Sequence, residues 1–145
     1  MKKHKIVGIV FSIVAVVFCI VFIQQIDFSI QLESYLKVGY YTQFTPVLIS
    51  AILLFGGVLL IKRKPRANFI LALFGHEVLE EILFNWIGLT TSNLPIYAMV
   101  VFFGIALVTL WIAYSNAFSL KTLTFKEVVY SFVLGAIISL LPAFF

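Results

Sequence analysis

From Ile6 to Ile23 the chain runs through eighteen residues with no charged side chain and one hydroxyl, Ser12. A run of that length and character is the signature of a helix able to cross a bilayer. Further apolar runs follow, separated by short polar turns. The whole chain of 145 residues is 63% hydrophobic and 11% charged, with a mean hydropathy of +1.15. An ordinary soluble domain is about 45–50% apolar and about 25% charged. This balance excludes a water-soluble enzyme, a nucleic-acid binder and a disordered tail. It predicts an all-α integral membrane protein: one transmembrane domain over residues 1–145, a bundle of about five helices.

The expected spans cover about residues 6–26, 44–61, 66–89, 95–114 and 124–144. The first reads as retained rather than as a cleaved signal, because its apolar run is too long and Gln24-Gln25-Ile26-Asp27 is no small-x-small cleavage site. Within it Gly8, Ser12, Ala15 and Cys19 form a stripe of small side chains that suits close helix packing. Residues 27–43 read as a polar loop. Phe28, Leu32, Tyr35 and Leu36 fit a short amphipathic helix, and Tyr35, Tyr40, Tyr41 and Phe44 an aromatic belt. Thr45-Pro46 suits a helix start, and Thr124-x-x-Glu127 a capping box. Pro142 falls in the last turn of the fifth span.

Five spans place Lys2, Lys3, Lys5, Lys62, Arg63, Lys64, Arg66, Lys121 and Lys126 on one side and Lys37 alone on the other. By the positive-inside rule the N-terminus is cytoplasmic and the C-terminus external. The expected location is the cell membrane, multi-pass, or the inner membrane of a Gram-negative cell. Lys62, Arg63, Lys64 and Arg66 form the densest basic face, a site for a cytoplasmic protein partner.

The third span carries the chemistry. His76, Glu77, Glu80, Glu81 and Asn85 share about half of one helix, opposite Val78, Leu79 and Ile82. Three acids at a helix centre cost roughly 7–11 kcal/mol on the insertion scale, more than the apolar residues of the span return. They require shielding by neighbours, protonation, or a bound cation. This arc is the candidate ion or proton site. No cofactor is predicted beyond a bound proton or cation, and no metal is assigned.

His76-Glu77-x-x-Glu80 shares the opening of the zinc-protease motif, with Glu80 where that motif has its second histidine. Glu80-Glu81-Ile82-Leu83-Phe84 resembles the double-glutamate signature of CAAX-type membrane proteases. That family has Arg where this chain has Asn85, and it needs histidines on later spans that this chain lacks. The reading drawn from the residues is a membrane-embedded sensor or scaffold subunit. It would be homo-oligomeric and in contact with lipid, with the His/Glu cluster as protonation switch or assembly element. The alternatives are a proton or cation channel or transporter subunit and, behind it, a metal-dependent intramembrane hydrolase.

Overall fold

The computed structural model describes residues 2–26, 33, 43–90 and 94–140. Five α-helices dominate them: α1 (Lys3–Gln25), α2 (Thr45–Ile61), α3 (Ala67–Trp86), α4 (Ile96–Ser115) and α5 (Phe125–Leu140). The expectations for Phe28, Leu32, Tyr35, Leu36, Lys37, Tyr40, Tyr41 and Pro142 lie outside the described residues.

The helix ends follow local chemistry. Pro46 sits in the first turn of α2, where a missing N–H costs nothing, and the helix takes in Thr45 rather than using it as a cap. At α5, Thr124 Oγ1 accepts the Glu127 backbone N–H at 3.2 Å. α3 ends at Trp86, three residues before the expected end, and Gly88 at φ 82° turns the chain. There the N–H groups of Leu89 and Thr90 both return to Phe84 O.

The central helix is α3, packed on α2, α4 and α5, while α1 lies mainly on α2. Small residues set these crossings. A Cβ on Gly8 would fall 2.7 Å from Gly57 O, and one on Gly57 2.6 Å from Ser12 Oγ. The α1 and α2 backbones are thus in direct contact. Gly75 lets α3 close on Leu110 of α4 in the same way. Phe18 and Phe22 of α1 reach over to Phe102 of α4, with ring centroids 4.8 and 6.3 Å apart. Leu53, Leu71, Phe74, Val78 and Phe102 are buried in the core. The outward faces of α1, α4 and α5 are apolar as well, carrying Ile13, Trp111 and Phe125.

The five-span expectation is corrected. Among the described residues, α1 and α4 are long and apolar enough to cross a membrane. A span needs about 20 predominantly apolar residues. The 17 residues of α2 and the 16 described residues of α5 fall short. α3 has 20 residues but carries Glu77, Glu80 and Glu81. Two helices of spanning length, one at the N-terminus, do not set the loops alternately on two sides. The cytoplasmic N-terminus, the external C-terminus, the multi-pass cell-membrane location and the lipid partnership lose their support. So does a cytoplasmic partner on the basic face.

The polar side chains correct the rest. Several of those in the bundle find partners within one chain. Asn68 Nδ2 donates to Asn116 Oδ1 at 2.9 Å and to Lys121 O at 2.8 Å. His76 bonds to α4 and α5, and Glu77 to α5. Side chains satisfied in this way are not the glue of a homo-oligomer, nor do they line a conduction axis between copies. The membrane-embedded sensor or scaffold and the channel or transporter alternative are set aside on these grounds.

Candidate functional site

The α3 arc divides between two neighbours. His76, half-buried, faces Tyr114 of α4 and Ser131 of α5: Tyr114 Oη lies 2.7 Å from Nε2, and Ser131 Oγ 3.0 Å from Nδ1. Ser131 spends its single hydroxyl hydrogen on Val128 O at 2.8 Å. It can therefore only accept from His76, which places the imidazole proton on Nδ1. Nε2 is left to accept the Tyr114 hydroxyl hydrogen. Both ring nitrogens are satisfied in the neutral form, and burial lowers the His76 pKa. His76 is thus a neutral strut between three helices, not a counter-charge for the acids.

Glu77 and Glu80 lie one turn apart on α3 and are 0% and 4% exposed. They face a seam of α5 made by Ser131, Gly135 and Ser139, all buried. Ser139 donates to Glu77 Oε1 at 3.0 Å. A Cβ on Gly135 would lie 3.0 Å from Glu80 Oε2 and 3.2 Å from Glu77 N. Only a glycine lets α5 approach so closely without displacing the carboxyl. Three buried carboxyl oxygens have no hydrogen-bond partner: Glu77 Oε2 and both oxygens of Glu80.

Burial disfavours the charged form of such groups. It pushes Glu77 up to about 9, aided by the charges of Glu81 and Glu80 and opposed by the Ser139 hydrogen bond. It pushes Glu80 up to about 7. At neutral pH Glu77 therefore carries a proton and Glu80 is near its midpoint. Glu81 is buried on the same stretch, and Asn85 is half-buried one turn further on.

The expected arc is thus brought together only in part. Glu77 and Glu80 face the Gly135 and Ser139 part of the α5 seam, while His76 meets that seam at Ser131 and reaches Tyr114 of α4. The hydrolase alternative fails here. Among the described residues no three of His, Cys, Asp or Glu are placed to hold a metal ion, and a catalytic zinc needs about three protein ligands. Lys62, Arg63, Lys64 and Arg66 are all exposed in the turn between α2 and α3.

Sequence reasoning passed over the residues that complete the site. Ser131, Gly135 and Ser139 recur every four residues, the spacing of one helix face. That signal was available in the chain. The partnership of Tyr114 with His76, and of Asn68 with Asn116, has no local signal, since each joins residues far apart in sequence. No protein-family model, no curated relative and no solved structure matches this chain.

Proposed function

We propose that the bundle is built around an acid site that holds protons at neutral pH and releases them to bind one small monovalent cation. The reading is carried by the three unpartnered, buried oxygens of Glu77 and Glu80. An ionised carboxylate left without a partner in such a place costs several kcal/mol. A proton removes that cost, and so does a small cation bound to the same oxygens. The two compete. Glu77 and Glu80 supply the oxygens, Ser139 orients Glu77, and Glu81 and Asn85 stand at the outer end of the same arc. Gly135 leaves room for the Glu80 carboxyl. His76 is neutral and fully bonded, so it holds the helices without joining the exchange.

The test is proton release. Sodium or lithium chloride is added to weakly buffered, purified protein at neutral pH, with choline chloride as the ionic-strength control. The wild-type protein is expected to release protons saturably, and E77Q and E80Q to lose that release. A wild-type response equal to the choline control overturns the proposal.

A further inference from the structure

A second cluster lies where the first turn of α1 meets the end of α2. Lys2, His4, Lys5, Ile61, Lys62 and Arg63 line an open cavity of about 530 Å³. No lining residue is acidic. The first turn of α1 carries no acid and no side-chain cap, so the positive end of the helix dipole faces this region unopposed. The opposing negative end, at α2, is blunted. Val58, Leu59 and Leu60 carbonyls accept the N–H groups of Lys62, Lys64 and Arg63. Arg63 is set in the left-handed region at φ 53°, and its Nη2 donates to Phe118 O at 3.3 Å. That bond anchors the guanidinium at the cavity wall.

An independent observation points to a ligand. His4 lines the cavity and is 3% exposed, yet its Nε2 has no hydrogen-bond partner. A ring nitrogen shut off from water without a partner forgoes the hydrogen bond it would make in solution, and a hydrogen-bonding anion would satisfy it. The cavity exceeds by many times the ~30 Å³ share of a single water. It falls within the roughly 300–1,000 Å³ of small-molecule sites.

We propose that this cavity binds a phosphorylated small molecule, its phosphoryl group held by Lys62, Arg63, Lys2 and Lys5 and accepting a hydrogen bond from His4 Nε2–H. Phosphoryl oxygens suit the combination of a helix N-terminus, an arginine fork and lysine point charges. The density of positive charge favours a dianion over a carboxylate. The proposal is independent of the acid site, which lies on other helices.

The test is a titration of the full chain with inorganic phosphate and with glycerol phosphate, at ionic strength held constant with chloride. It is read by calorimetry and by the NMR signals of the His4 imidazole. Saturable binding is expected, with the His4 pKa moving upward on the complex as a neighbouring anion stabilises the imidazolium. K62Q alters an exposed side chain and is expected to weaken binding about tenfold. H4F keeps the ring packing against Phe118 and removes the His4 response. Three results overturn the proposal: no saturable response, an equal response to chloride, or a response only to phosphatidic acid vesicles and not to free phosphates.

Discussion

Neither oxygen of Glu80 has a partner, and the side chain is almost wholly buried. Its charged form therefore opposes folding. A carboxyl whose folded pKa lies above its unfolded value is fully tolerated below the unfolded value, and stability falls as pH rises toward the folded one. For Glu80 the window runs from 4.5 to about 7. E80M keeps the length and removes the ionisation. It is expected to raise stability at pH 8 by roughly 2 kcal/mol and to flatten the pH dependence in that window, as read by denaturant midpoints. A loss of stability in E80M at pH 8 would mean that the carboxylate has a favourable partner. His76 behaves oppositely: with a lowered pKa, its contribution is lost as pH falls from 6.5 toward its folded value. Removing the Tyr114 donor by Y114F leaves Nε2 unsatisfied and is expected to cost about 1 kcal/mol. The His76 carbon shifts in NMR spectra should move with it, reporting a changed tautomer balance.

At the level of elements, the contact between α3 and α5 depends on Gly135, and a matched pair of glycines tests it. Gly104 in α4 has open space where a Cβ would go, so G104A gains helix propensity and is expected to stabilise by about 0.5–1 kcal/mol. G135A gains the same propensity, but its methyl meets the Glu80 carboxyl and the α3 backbone at Glu77. A net loss of about 1–3 kcal/mol is expected from overpacking, measured in the same denaturant series. Equal effects at the two positions would show that α5 does not press on Glu80. The helices themselves were legible in the sequence. Apolar runs, Pro46 and the Thr124 cap mark their extents within a few residues. The carboxylates of α3 were legible too, because three acids in one apolar run are conspicuous. Which side each would face was not. His76 and Glu80 share a helix face by spacing, yet His76 turns to Tyr114 and Ser131 because those partners arrive from α4 and α5, over separations that no local pattern encodes.

Across the whole molecule, the sequence conflated two destinations for apolar residues. The same hydropathy serves the core around Phe74 and Phe102 and the outward faces of α1, α4 and α5. A count of apolar runs therefore gives five spans where, among the described residues, two helices have the length and composition for one. The buried acids also give the molecule a pH profile of unusual sign. Glu77 and Glu80 make stability fall as pH rises from 4.5, through about 7 for Glu80 and about 9 for Glu77. Thermal midpoints are accordingly expected to be higher at pH 6 than at pH 8.5, and E77Q should remove part of that slope. The central claim is that a buried carboxyl of α3 is protonated at neutral pH. Infrared spectroscopy of the folded protein reads this directly, through the carbonyl stretch of the neutral acid. The account predicts that band at pH 7, its decline as pH is raised through about 7 for Glu80 and about 9 for Glu77, and its loss in the E77Q/E80Q double variant. A wild-type spectrum at pH 7 with ionised carboxylates alone would contradict it.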